Sequence, residues 1–150
     1  LDSAKQAVNT DDWKTYRNER YGFEFNYPKG WKVLDTPDAF GMVVKITNPS
    51  APKVGEITVG YRDNPDRLTG RQWFDAKVFR TERQIIGEIV VDGVYALETE
   101  DSGINTLTTV YAGKKDSLVT ISTVSYPKEL ADIENFKYIL STFRFIPAPN

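Results

Sequence analysis

The chain of 150 residues contains no cysteine and no histidine. Without cysteine, these residues cannot form a disulfide, a thiolate nucleophile or a cysteine-ligated zinc site. Without histidine, Ser-His-Asp and Cys-His catalytic arrangements are excluded, as are histidine-ligated zinc, iron, copper and haem. Because most hydrolase and redox chemistry uses one of these groups, we predict that the protein is not an enzyme.

The sequence also lacks an excess of positive charge and long apolar runs. Its 19 lysines and arginines stand against 21 acidic residues, for a net charge of −2. No basic field can therefore hold a phosphate backbone, and we expect no nucleic-acid partner. No run approaches the roughly 20 apolar residues that a helix needs to span a bilayer. Glycine-rich phosphate loops are also missing, since the glycines are too dispersed for such a motif.

Leu1 to Asp12 differs from the rest of the chain because it is small, polar and charged. It resembles a spacer left after removal of a leader, and a plain flexible tail explains it equally well. A chain of this length suits one core, so we predict a single monomeric domain over residues 13–150.

Strand patterns dominate the first half of the chain. Phe23, Phe25 and Tyr27 alternate with polar residues, which is typical of a strand with one buried face. Residues 13–18 alternate too, with Trp13 and Thr15 on the apolar face and Lys14 and Tyr16 on the polar face. A Tyr-Pro-Lys-Gly-Trp turn then leads into a strand over residues 31–34, followed by strands near 42–47 and 57–61.

Two helices and two hairpins are predicted after these strands. Thr69 and Gln72 fit a capping box, which begins a helix that continues to about Glu82. Asp92-Gly93 between apolar runs predicts a hairpin, and residues 105–112 and 117–125 predict another across 113–116. Apolar residues at helical spacing from 130 to 143 predict a second helix, with a short closing strand after it. The order favours an α+β fold, with one mainly antiparallel sheet flanked by helices.

Carboxylates form the first candidate site. Glu98, Glu100 and Asp101 come at the end of a predicted strand and its turn, and their oxygens suit Ca²⁺ or Mn²⁺. A solvated hairpin end explains the same residues. Asp63 and Asp66 are a second possibility, although their segment lacks the EF-hand pattern and has the composition of a turn.

Aromatic residues form the second candidate site. Alternation predicts that Phe23, Phe25 and Trp31 fill the core. Tyr16 and Tyr21 flank a turn and carry polar tips, so we predict that they are available to bind a partner. Lys114-Lys115 at a hairpin tip is explained by a solvated turn, or by contact with an acidic partner.

Three segments in order resemble PsbP-like domains. The first runs from Tyr16 through Asn18, Tyr21-Gly-Phe23, Phe25 and Tyr27-Pro to Gly30-Trp31. The second is Val91-Asp-Gly93 with Ala96, and the third is Ile139-Leu-Ser-Thr-Phe-Arg-Phe145. Together they cover nearly the whole chain, although no single motif is specific.

The resemblance implies an α/β/α sandwich with a central antiparallel sheet and no shared active site. It also implies a non-catalytic, extracytoplasmic domain that binds a protein partner or envelope component, attached to the membrane only through a lipid anchor upstream of residue 1. No functional residue is carried over from PsbP. The alternatives are a Ca²⁺- or Mn²⁺-binding domain, a photosystem II extrinsic protein if the source is photosynthetic, and a small-molecule carrier with an aromatic cleft.

Overall fold

The computed structural model describes residues 10–36, 41–50, 56–78, 83–102, 106–125 and 130–147, and the statements below concern this part of the chain. Most of the predicted spacer, residues 1–9, lies outside it. The described elements, in chain order, are β1 (Lys14–Asn18), β2 (Phe23–Tyr27), β3 (Lys32–Asp35), β4 (Met42–Thr47), β5 (Ile57–Asp63), α1 (Gly70–Lys77), β6 (Arg83–Val91), β7 (Val94–Ser102), β8 (Thr106–Lys114), β9 (Ser117–Ser125), α2 (Leu130–Thr142) and β10 (Arg144–Phe145).

The strands form two antiparallel sheets, whereas the sequence predicted one. Seven strands make the larger sheet in the order β3-β4-β5-β9-β8-β7-β6, and the smaller sheet has the order β1-β2-β10. The turn after β2 therefore carries the chain from one sheet to the other. It cannot fold β3 back onto β2, because β1 and β10 already occupy both edges of β2.

A hydrophobic core lies between the two sheets. Phe23 and Phe25 of β2 are fully buried there, as predicted, and their rings stack on Phe143 at centroid distances of 5.5 and 6.0 Å. The larger sheet contributes Val44, Ile46, Ile57, Val59, Val110, Ala112, Val119 and Ile121, and α2 contributes Phe136 and Ile139. Trp31 packs against this core but is only partly buried.

Helix α1 covers the opposite face of the larger sheet. Val110 and Ala112 belong to the core between the sheets, whereas Tyr111 between them packs with Phe74 of α1 in a second cluster. Because side chains alternate along a strand, the two clusters lie on opposite faces of β8. The α+β prediction is therefore confirmed in its coarse form, as mostly antiparallel sheet with two short helices.

The start of α1 follows the predicted capping box. The Thr69 hydroxyl accepts a hydrogen bond from the Gln72 amide at 3.1 Å, and the Gln72 side chain accepts one from the Thr69 amide at 3.0 Å. The end differs from the prediction, because Val78 has extended dihedral angles (φ −102°, ψ 114°) and the helix ends at Lys77. The predicted continuation over residues 79–82 lies outside the described residues.

The first turn of α1 lies directly on the backbone of β8. A Cβ atom added to Gly70 would lie 2.0 Å from the Tyr111 carbonyl oxygen. One added to Gly113 would lie 2.1 Å from the Leu68 carbonyl oxygen. Only glycine at both positions allows this close approach.

Both predicted hairpins are present. Asp92 and Gly93 have φ angles of 48° and 76°, the positive values that a two-residue type I′ turn requires. The second hairpin turns at Lys115-Asp116, because β8 continues through Gly113 and Lys114, which the sequence had placed in the turn. The second helix and the closing strand are confirmed as α2 and β10.

Candidate functional site

A surface groove lies where the β1–β2 turn, the β8–β9 turn and the segment after α2 meet. We call it the Tyr21 groove. Its volume is about 400 Å³. The side chains that line it include Arg20, Tyr21, Tyr61, Lys114, Lys115 and Phe145. Arg20 and Tyr21 also line two neighbouring depressions on this surface.

Local backbone geometry fixes Tyr21 in the groove. The side chain of Asn18 accepts a hydrogen bond from the Tyr21 amide at 3.0 Å, and its carbonyl accepts one from the Gly22 amide at 2.9 Å. Gly22 has a positive φ of 77°. Its carbonyl accepts a hydrogen bond from the Ile146 amide at 2.9 Å, which ties the turn to the segment after β10.

Aromatic rings form the floor of the groove. The rings of Tyr21 and Tyr61 contact each other with centroids 4.9 Å apart at 48°. Phe145 contacts the core residue Phe143 edge-on at 5.4 Å. The floor is therefore continuous with the core, and it is held by β5 and β10 rather than by the turn alone.

Cations form the rim of the groove. The Arg20 guanidinium lies 5.2 Å from the centre of the Tyr21 ring, and the Lys114 ammonium lies 5.2 Å from that of Phe145. Lys115 is exposed at the tip of the β8–β9 turn. Within the described residues, none of these three cations forms an ion pair with a carboxylate, whereas nearby Arg17 pairs with Glu19 and Glu24.

Tyr16, the second predicted partner-binding residue, contacts other groups. Its hydroxyl donates to Asp35 of β3 at 2.6 Å and accepts from the side-chain amide nitrogen (Nδ2) of Asn18 at 3.0 Å. Burial, together with the hydrogen bond to Asp35, raises the pKa of Tyr16 to about 12. Tyr16 thus joins the smaller sheet to the edge of the larger one. Partner binding by either tyrosine stays a prediction, and Tyr21 is the more available of the two.

The prediction of which face of β1 is buried is wrong. Thr15 is exposed, whereas Tyr16 is half-buried and packs 5.4 Å from Phe25. The cause is the register of the sheet, in which Tyr16 is the direct cross-strand partner of Phe25. Directly paired residues share a face, so the buried Phe25 brings Tyr16 inward.

The predicted metal ligands lie within β7, which continues to Ser102, and not in a turn. Glu98 and Glu100 share one face of the strand and Asp101 has the other, so β7 alone does not bring the three carboxylates together. The described residues contain no group of three acidic side chains placed to hold a metal ion. Binding of Ca²⁺ or Mn²⁺ stays a prediction, which calorimetric titration with either ion would test.

Asp63 and Asp66 are both exposed, and the residue that organises their segment is Asn64. Its buried side chain donates to the Leu68 carbonyl at 2.8 Å and accepts from the Leu68 amide at 3.0 Å. These bonds are the turn chemistry that the sequence suggested for this segment.

Comparisons with solved structures give similar folds. The solution structure of cyanobacterial PsbP (CyanoP) from Synechocystis sp. PCC 6803 has a TM-score of 0.64 at 19% identity, over 92% of this chain and 95% of that one. A crystal structure from Bacteroides thetaiotaomicron has a TM-score of 0.65 at 12% identity, over 89% of this chain and 48% of that one. LpqN, described as involved in cell envelope biogenesis of Mycobacterium tuberculosis, has a TM-score of 0.54 at 14% identity, over 91% and 87%.

At these identities the likeness concerns the fold, and the chain has a PsbP-like fold, as the resemblance implied. No protein-family model and no curated protein sequence matches the chain. Neither of the described helices is long and apolar enough to cross a membrane.

Sequence reasoning found Tyr21 and both lysines of the groove but not Tyr61 or Phe145. Tyr61 belongs to an ordinary alternating strand, and Phe145 to the short strand predicted after the second helix. Neither pattern indicates that these rings meet a turn far away in the sequence. Only the pairing of β2 with β10 and the position of β5 bring them together.

Proposed function

We propose that this chain is a non-catalytic, extracytoplasmic PsbP-like domain that binds a protein partner through the Tyr21 groove. The observation that carries the proposal is the groove itself, which joins an aromatic floor to cations without carboxylate partners among the described residues. Tyrosine and arginine are enriched at protein interfaces and often dominate their binding energy. The proposal includes the α/β/α layering of PsbP-like domains, with α1 and α2 on opposite sides of the larger sheet.

The chemistry of the groove supports binding rather than catalysis. Its arginine and lysines supply hydrogen-bond donors, and its aromatic rings supply apolar contact area, so these groups suit recognition. The envelope role named for LpqN supports an extracytoplasmic location. The proposal also includes a lipid anchor upstream of residue 1. A photosystem II partner belongs to the proposal only if the source is photosynthetic.

Photo-crosslinking in the source organism tests this function. A photoreactive phenylalanine derivative replaces Tyr21 in one variant and Tyr95, whose side chain is 71% exposed on the β6–β7 hairpin, in the control. We expect a discrete protein adduct from position 21 and none of the same mass from position 95. Equal adducts from the two positions, or no adduct from position 21, would show that the groove is not the binding surface.

A further inference from the structure

The floor and the rim of the Tyr21 groove differ in chemistry, and the difference indicates what kind of segment fits them. The floor consists of the rings of Tyr21, Tyr61 and Phe145, and the rim carries Arg20, Lys114 and Lys115. Building on the proposed function, we propose that the partner supplies an acidic peptide segment. One apolar side chain of this segment lies on the rings, and flanking carboxylates contact the cations.

The rim is positive although the chain is not. Asp116 is the acidic side chain among the groove residues, so three cations stand against one carboxylate there, while the whole chain has a net charge of −2. Charges farther away than about 8 Å are largely screened at physiological ionic strength. A ligand in the groove is therefore attracted or repelled mainly by the rim, which favours negative charge.

Two of the cations lie over the rings below them. Arg20 lies over Tyr21 and Lys114 over Phe145, each at 5.2 Å from the ring centre. Such cation–π contacts hold a side chain near one position and leave its outward N–H groups free to donate. Because these contacts restrict the two side chains before a ligand arrives, the side chains lose less conformational entropy when a carboxylate binds.

The size and apolar floor of the groove favour a peptide over a small inorganic anion. A pocket of about 400 Å³ is far larger than a phosphate or sulfate ion, which would leave the three rings in water. An acidic peptide with an apolar residue buries the rings and neutralises the rim at the same time. Protein interfaces usually combine buried aromatic anchors with a polar rim.

Titration with matched peptides tests the inference. The probe is a nine-residue peptide with a central leucine between glutamates, and its control carries glutamine in place of every glutamate. The charge reversal Lys115→Glu has a matched control in Lys29→Glu, because Lys29 is also exposed and follows the far end of β2. Both changes shift the net charge equally, and circular dichroism is used to check that both variants fold.

We expect the glutamate peptide to shift the backbone amide NMR signals of residues 20–22 and 114–117. Lys115→Glu should weaken its binding about ten-fold and Lys29→Glu less than two-fold, since an exposed charge pair is worth up to about 1 kcal/mol and a reversal adds repulsion. The glutamine peptide should bind at least about ten-fold more weakly than the glutamate peptide.

Three results would overturn the inference: equal affinity of the two peptides, equal effects of the two substitutions, or binding to phosphatidylglycerol vesicles with no binding to the glutamate peptide. Its failure is distinguishable from failure of the proposed function. A crosslinked adduct at position 21 without preference for the glutamate peptide leaves partner binding standing and excludes the acidic segment. Specific peptide binding without an adduct excludes the proposed function.

Discussion

Residues 16–25 hold two pairs of aromatic side chains in contrasting surroundings. Phe23 and Phe25 are 0% exposed and stack on Phe143, whereas Tyr16 and Tyr21 are half-buried and contact polar or charged groups. Alternation along β2 places both phenylalanines in the core, but Tyr21 lies in a turn, where no alternation applies. Periodicity thus identified the core aromatics of β2, whereas in β1 and in the turn the tertiary neighbours determine the role of each ring.

Truncating a core ring should have the largest effect. Phe25→Ala removes a fully buried ring that contacts Phe23, Tyr16 and Phe143, and we expect it to lower the free energy of unfolding by about 3–5 kcal/mol. Denaturant unfolding measures this, with Tyr95→Ala as an exposed control that should change it by less than about 0.5 kcal/mol. A similar loss in both variants would show that the buried ring of Phe25 contributes no more to stability than the exposed ring of Tyr95.

Removing the Tyr16 hydroxyl should have an intermediate effect. Tyr16→Phe keeps the ring on Phe25 but deletes the bonds to Asp35 and Asn18. We expect the free energy of unfolding at pH 7 to fall by about 1 kcal/mol, the usual net value of such bonds. An unchanged denaturation midpoint would mean that the link between the sheets through Tyr16 contributes nothing to stability.

The stability contributed by Tyr16 should also depend on pH. Its pKa is about 12 in the folded protein, against about 10 for an unperturbed tyrosine. As pH rises from 10 to 12, the unfolded chain releases this proton while the folded chain keeps it, so the stabilisation is complete below pH 10 and is lost through pH 12. The stability difference between wild type and Tyr16→Phe should therefore shrink over this range. A difference that stays constant from pH 9 to 12 would contradict the raised pKa.

The same deletion at the other tyrosine should have the smallest effect. Within the described residues the Tyr21 hydroxyl makes no hydrogen bond, and the contacts of this residue involve its ring and its backbone amide. Tyr21→Phe should therefore change the free energy of unfolding by less than about 0.5 kcal/mol, measured beside Tyr16→Phe. A loss as large as that of Tyr16→Phe would remove the distinction between the two tyrosines.

Much of the fold could be predicted because the relevant signals are local. The capping box at Thr69, the turn at Asp92-Gly93 and the alternation in β2 each depend on residues within a few positions of one another. The division into two sheets could not be predicted, since β2 takes its second neighbour from Arg144–Phe145. A pairing between segments so distant in sequence leaves no periodic trace in either of them.

The candidate site was predictable only in part, for the same reason. Tyr21 was recognisable because a tyrosine beside a turn commonly keeps its polar tip in water, and the two lysines because they lie in a hairpin turn segment. Tyr61 and Phe145 gave no such signal. Glu98, Glu100 and Asp101 of β7 show the reverse. They are neighbours in sequence, yet the strand places Asp101 on the face opposite to Glu98 and Glu100.

The close approach of α1 to β8 matters for anyone who builds a substitution library of the groove. Gly113 directly precedes Lys114, and any side chain there would collide with the Leu68 backbone and displace the end of the strand that carries the lysine. Loss of binding in a Gly113 variant would then be caused by displacement of Lys114, and not by loss of a contact that Gly113 itself makes with the partner. Gly70 and Gly113 are best kept constant in such a library, while Arg20, Lys114 and Lys115 are varied freely.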